Sequence, residues 1–268
     1  MIDKKLAVLV AACALALGAC GQSGKEAPAV TQPAAEQAAP AVDSTDELAS
    51  RLASDARSAE DRARDAGRKP LEVLAFFDVK PGMHVIDVMA AGGWYSEVLS
   101  LAVGPEGSVT AQNPPFILAF RDGYYKKALA ERIGDRLKNV TELDASWMEL
   151  AASGARYDFA MSALNLHDTY LQSPEASAEF ASAVFAVLKP GAVFGVIDHV
   201  GNAGTDYSSL HRIDKATAIN ILTTAGFVLE DESDLLANPD DDHTQAVFSE
   251  SIRGRTDRFV LKLRKPTG

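Results

Sequence analysis

The stretch VIDVMAAGGWYS, Val85 to Ser96, decides the fold. Val85, Ile86, Val88 and Met89 flank a single acid, Asp87, and read as a strand buried on both faces. The run ends in Ala90-Ala91-Gly92-Gly93, small enough for a tight turn and for a ligand to approach the backbone closely. Trp94-Tyr95-Ser96 then opens a helix. Strand, small-residue loop and helix in this order can hold a nucleotide-like ligand at the helix N-terminus. Any tight strand-to-helix turn needs the same small residues, so the stretch fixes local structure before it fixes a ligand.

Outward from this stretch, strand and helix patterns alternate. Upstream, residues 44–67 carry one continuous helical pattern, with Ser44 or Thr45 as its cap. A second short helix follows Pro70, and Lys80-Pro81-Gly82-Met83 breaks the chain. Strands are predicted over 84–90, 107–114, 139–145, 157–165, 192–200, 227–233 and 258–266. Helices are predicted over 94–104, 115–137, 173–191 and 214–226. Near-continuous apolar strands separated by helices predict a Rossmann-like three-layer α/β/α sandwich around a mostly parallel seven-stranded sheet. It forms one domain over residues 44–268.

The 268 residues are 47% apolar, and 37 acidic against 26 basic residues give a net charge of −11. An acidic surface repels phosphate backbones, which argues against a nucleic-acid partner. Residues 1–20 read as an export signal: Lys4 and Lys5 precede the apolar run Leu6–Leu17, too short for a membrane span. Leu17-Gly18-Ala19-Cys20 resembles the bacterial lipobox, with Cys20 as the lipidated residue. Residues 21–43, rich in Ala, Pro, Gln and Glu, read as a disordered tether. The expected location is the cell envelope, facing the periplasm, with the lipid anchor as the one membrane contact. Gly21 after the cysteine favours the outer membrane. The two cysteines, Cys13 and Cys20, both lie in this segment, so the domain has no thiol for a disulfide or a thiolate metal site.

Several pieces of the domain follow in a telling order: VIDVMAAGG, then ELDAS, then YDFAMSALNLHD, then LKPGAVFGVIDH. This succession resembles the class I S-adenosylmethionine-dependent methyltransferases, over about Pro70 to Pro266. With NLHDTY, LHRID and RGRTDRFVLKLRKP, it resembles a subgroup of exported methyltransferases. The resemblance implies S-adenosylmethionine as cofactor. It places Asp87 as the acid that orders the glycine loop, with Ala90, Gly92 and Gly93 in that loop. The family's G-x-G-x-G pattern falls on Met89, Ala91 and Gly93, so only the last glycine is kept. Asn113, beside Gln112, falls where the family has a ribose-binding acid. Asp144, followed by Ala145, falls where the adenine amine is read.

In an open sheet, ligands sit outside the C-terminal strand ends. His167 and Asp168 follow the fourth strand, Asp198 and His199 end the fifth, and His211 and Asp214 lie on the next connection. His167, Asp198, His199 and His211 are the catalytic candidates. One reading makes His167 or His199 a general base, since histidine titrates near neutrality. A second makes the cluster a divalent-metal site. A third makes it scaffolding, with His211 bracing its loop and Asp214 capping the next helix. Adjacent His-Asp pairs are poor metal evidence, and no metal ligand is assigned. The loop Asn238–Gln245 reads as solvated, with binding of calcium or of a cationic substrate as the sharper alternatives. An arginine of RGRTDRF could clamp a substrate carboxylate or pair with that acidic loop. Trp94 and Tyr95 either wall the cofactor pocket or pack in the core.

The function expected is methyl transfer to a small molecule in the envelope. Export conflicts with a cofactor made in the cytoplasm. Two rival readings follow: a metal-dependent or acid/base enzyme of another reaction type, and a non-catalytic ligand-binding lipoprotein on the same fold.

Overall fold

The computed structural model describes residues 44–268. The signal segment, Cys20 and the tether of residues 21–43 lie outside the described residues. The seven strands are β1 (His84–Val88), β2 (Ser108–Asn113), β3 (Val140–Asp144), β4 (Tyr157–Ala163), β5 (Leu188–His199), β6 (Val228–Ser233) and β7 (Arg258–Arg264). They form one sheet in the order β3-β2-β1-β4-β5-β7-β6. β7 runs antiparallel to both β5 and β6, so the sheet is mixed. The expected helix-linked parallel pattern fails there for a simple reason. A parallel return needs a crossover, normally a helix, and none lies between β6 and β7.

The ten helices of the described residues are α1 (Ser44–Ala53), α2 (Ala59–Arg68), α3 (Pro70–Phe76), α4 (Trp94–Val103), α5 (Pro115–Ala119), α6 (Tyr124–Ile133), α7 (Trp147–Ala152), α8 (Leu166–Gln172), α9 (Pro174–Val187) and α10 (Lys215–Thr224). Alternate side chains along each strand feed two cores. Ile86, Ala160, Phe194, Val196 and Leu261 pack with Leu150, Phe180, Val184 and Leu222 on the side of α7, α9 and α10. Val85, Phe159, Met161, Ile197 and Val260 pack with Leu52, Val73, Leu74, Val98 and Leu99 on the side of α1, α3 and α4.

Two predicted helices are broken. The 44–67 pattern splits at Ser58, whose side chain accepts from the Asp61 N–H and starts α2. The 115–137 pattern splits at Arg121, Asp122 and Gly123, all left-handed, with φ of 44°, 54° and 80°. Two helices add to the expected set: α7, opened by a capping box between Ser146 and Glu149, and α8, which carries His167. The LKPG segment is the start of β5 itself, where its ladder with β4 is irregular.

Candidate functional site

The strand order reverses between β1 and β4, and ligands in open α/β sheets bind in the crevice at such a point. The glycine loop lies there. Met89, Ala91 and Gly93 all have left-handed backbones, with φ of 55°, 50° and 76°. The loop thus keeps a conformation that favours glycine at three alternate positions, although two of them carry side chains. Such positions cost on the order of 1–2 kcal/mol each for L-residues, so the surroundings must hold them.

They are held from the end of β2. Gln112 Oε1 accepts from the Met89 N–H at 3.2 Å, and its amide donates to Ala145 O at 2.7 Å. The Ala90 N–H donates to Gln112 O at 2.9 Å. Asn113 Oδ1 accepts from the Ala91 N–H at 2.8 Å, while its Nδ2 donates to Ala91 O at 3.2 Å. Asn113 is fully buried. Both ends of its amide clamp the loop, at the position where the resemblance implies a ribose contact. Asn165 adds a bond from the β4 side, Nδ2 to Met89 O at 3.0 Å.

Asp87 lies beneath the loop and accepts from Ser96 Oγ at 2.6 Å, tying β1 to the first turn of α4. Burial pushes its carboxyl up to about 7, against the Ser96 hydrogen bonds and the charge of Arg68. No side chain caps the N-terminus of α4 at Gly93. α6 covers the far side of the loop: a Cβ on Gly93 would meet Leu129 Cδ1 at 2.5 Å. Arg132 of α6 donates to Gly92 O at 2.7 Å and pairs with Asp61 and Glu97, each at 2.6 Å. Asp144 ends β3, exposed, paired with Lys126. Its neighbour Ala145 is buried and donates to Asn113 O at 3.2 Å.

On the rim, His167, Asp168, Asp198, His199 and His211 do converge. Asp214 does not join them, because its carboxylate caps α10 by accepting from the Thr217 N–H. Asp198 is fully buried and accepts from the His167 ring (Nδ1) at 2.6 Å, the His167 N–H at 2.8 Å and the His199 N–H at 2.7 Å. His167 Nε2 lies 3.2 Å from Asp168 Oδ1, and His211 Nδ1 lies 3.3 Å from the same oxygen. Burial opposes charge on His167, but Asp198 and then Asp168 outweigh it and push its pKa up to about 10. These carboxylates favour the charged form of His167 and engage both of its nitrogens, an arrangement that suits a held imidazolium better than a general base. Asp198 acts as the group that positions it.

His199 is the opposite case. Burial, then the charges of His167, Arg258, Arg212 and Arg68, drives its pKa well below the usual histidine value. Its Nδ1 is 2.8 Å from Thr256 Oγ1, and Nε2 has no hydrogen-bond partner among the described residues. His199 is thus a neutral imidazole with one open nitrogen, placed to accept a proton, while the burial and charges that keep it neutral also weaken it as a base. His211 sits in a left-handed backbone, φ 54°, with its ring 4.9 Å from the exposed Phe248.

The ligand-type atoms of His167, Asp168 and His211 lie within 4.8 Å of one another, close enough to hold a divalent cation. Asp198 behind His167 is the outer partner that metal-bound histidines commonly have. The Asn238–Gln245 loop is not freely solvated: Asp241 is buried and takes both Arg212 nitrogens, at 2.9 and 3.0 Å. Trp94 and Tyr95 are both buried and stand edge to face. The sequence assigns Arg68 no place in the site and offers Arg258 only as one of three arginines of RGRTDRF that could clamp a substrate carboxylate. The one signal that could have found Arg258 is its arginine-rich run.

No protein-family model matches the chain, and no curated protein sequence matches it. Solved structures do. A SAM dependent methyltransferase from Aquifex aeolicus is 20% identical with a TM-score of 0.51, over 73% of this chain and 88% of that one. The [4+2]-cyclase SpnF is also 20% identical, with a TM-score of 0.57, over 76% of this chain and 82% of that one. The fold is thus that of the class I S-adenosylmethionine-dependent methyltransferases, a frame that also carries a protein described as a cyclase.

Proposed function

We propose that the protein is an S-adenosylmethionine-dependent methyltransferase acting on a small molecule in the cell envelope. One observation carries the reading. The loop Met89–Gly93 takes a glycine-like backbone at three alternate positions, despite two side chains, at the switch point of the sheet. Holding strained backbone at such a point is a mark of function. Asp87 through Ser96, the uncapped start of α4 and the exposed Asp144 fit the amino-acid and adenine ends of the cofactor. The ribose position fits less well, since Asn113 is spent on the loop.

Bound there, S-adenosylmethionine supplies an electrophilic methyl group. His199 Nε2 takes the proton that the acceptor gives up, and Asp198 fixes the backbone of His199 and the charge of His167 beside it. Asp144→Ala is expected to weaken S-adenosylhomocysteine by about 1.5–3 kcal/mol, roughly ten- to a hundredfold. Equilibrium dialysis checks this, and unchanged affinity would remove Asp144 from the site. The envelope location rests on the lipobox-like run at Cys20. Cys20→Ser is expected to leave an unprocessed precursor or a protein released from membranes, and unaltered processing and fractionation would refute it. The rival metal-dependent reading rests on the His167–Asp168–His211 grouping, and a chelator-sensitive activity would favour it.

A further inference from the structure

The β5–β7 ladder sets Arg258 directly opposite His199. Opposite residues of an antiparallel pair point to the same face, here the face of α3 and α4. Arg258 is 7% exposed. Its hydrogen bonds go to backbone carbonyls, Thr256 O at 3.1 Å and Gly67 O at 2.7 Å. Arg68, at the end of α2, lies over the rings of Trp94 (4.6 Å) and Tyr95 (5.6 Å). It makes no hydrogen bond or ion pair among the described residues. Tyr95 is 5% exposed, and its hydroxyl has no partner among the described residues either.

Elsewhere the deeply placed arginines are paired: Arg57 with Asp65, Arg132 with Asp61 and Glu97, Arg212 with Asp241. A chain with 37 acidic residues has no shortage of partners. Yet this corner carries two guanidiniums without a carboxylate on either. Asp87 acts on Arg68 through space, but its own pKa of about 7 makes it a weak counter-charge, and Asp257 acts on Arg258 without forming an ion pair. Burial first, then Arg64 and Arg258, pulls Arg68 down to about 10. Uncompensated charge out of water is expensive, and an arriving anion relieves it. The guanidinium fork matches the planar carboxylate.

We propose that Arg68, Arg258 and the Tyr95 hydroxyl bind a carboxylate of the acceptor beside His199, so that the molecule methylated is a small organic acid. The inference rests on the methyltransferase reading for the word acceptor, but the anion site stands on its own geometry. Arg258 stands on β7, which β4 and β5 separate from the glycine-loop strand β1, while Tyr95 opens α4 directly after the loop, so the anion site lies between His199 and the loop.

The test uses the full chain, with and without S-adenosylhomocysteine. Acetate and benzoate are titrated against their neutral amides, acetamide and benzamide, and followed by thermal shift and calorimetry. The carboxylates are expected to bind saturably and the amides not. Arg68→Gln is expected to weaken the carboxylates by about tenfold or more, and Tyr95→Phe to weaken them in the same direction. Arg68→Gln should leave S-adenosylhomocysteine affinity unchanged. Arg68 is half-buried and its guanidinium makes no hydrogen bond or ion pair among the described residues, so Arg68→Gln is the variant expected to stay folded, which the thermal unfolding curve checks. Carboxylates no better than amides, or equal binding by parent and Arg68→Gln, would overturn the proposal. So would inorganic phosphate binding more tightly than either carboxylate. A third overturning result is loss of S-adenosylhomocysteine affinity in Arg68→Gln with 5′-methylthioadenosine spared, which would assign the arginines to the cofactor's own carboxylate. S-adenosylhomocysteine failing to bind the parent would sink the methyltransferase reading instead, with the carboxylate titrations still deciding the anion site.

Discussion

Asn113→Asp separates two opposite expectations. Family resemblance makes the substitution a repair that restores a ribose-binding acid. The structure makes it damage. Asn113 Nδ2 donates to Ala91 O at 3.2 Å, and a carboxylate would turn an oxygen towards that carbonyl in a fully buried site. The hydrogen bond is lost, at about 0.5–1.5 kcal/mol, and the half-buried Ala91 carbonyl is left facing a carboxylate oxygen, at about 1–3 kcal/mol. The combined loss is about 1.5–4.5 kcal/mol. For a chain of this size that lowers Tm by about 3–18 °C. Thermal unfolding followed by circular dichroism reads the change. The deficit should shrink in acid, because a protonated carboxyl regains a donor for Ala91 O. With the clamp loosened, Ala91 is free to leave its left-handed backbone, and S-adenosylhomocysteine affinity should fall. An Asn113→Asp protein with unchanged Tm and tighter cofactor binding would refute the reasoning and return residue 113 to the ribose.

Two further perturbations address the groups beside the loop and on the rim. The Asp87 carboxyl is raised from 3.8 to about 7 in the folded protein. Its contribution to stability is therefore fully present below about pH 4 and lost as pH rises through about 7, at most about 4 kcal/mol. Asp87→Asn keeps an acceptor for Ser96 and lacks this loss, so its stability relative to the parent should rise between pH 4 and 8 in denaturant titrations; a pH-independent difference would contradict the burial argument. His199→Ala should lower turnover by roughly 100- to 10,000-fold on an acceptor of the parent while S-adenosylhomocysteine affinity stays constant. Full turnover would leave the rim cluster as scaffolding.

Much of the frame is legible in the sequence, because seven apolar runs and their spacing dictate it. The direction of β7 is not, since FVLKL reads the same either way and only the missing crossover helix turns it around. The break at Ser58 was readable from Ser58 and Asp61, and α7 from Ser146 and Glu149, as capping pairs overlooked within longer patterns. The role of Asn113 was not readable. An amide at a strand end can face a ligand or its own loop, and only the distance to Ala91 decides. The same holds for His167 and His199: the sequence offers two histidines near acids, and burial with specific partners charges one and leaves the other neutral. The pairing of Arg258 with His199 depends on strand register, which no local pattern records.

Calorimetric titration of the protein with S-adenosylmethionine decides whether this loop holds that cofactor. Saturable binding at one site per chain is expected, weakened by Asp144→Ala and by Asn113→Asp alike. No heat of binding up to millimolar ligand, from a protein that unfolds cooperatively, would contradict it.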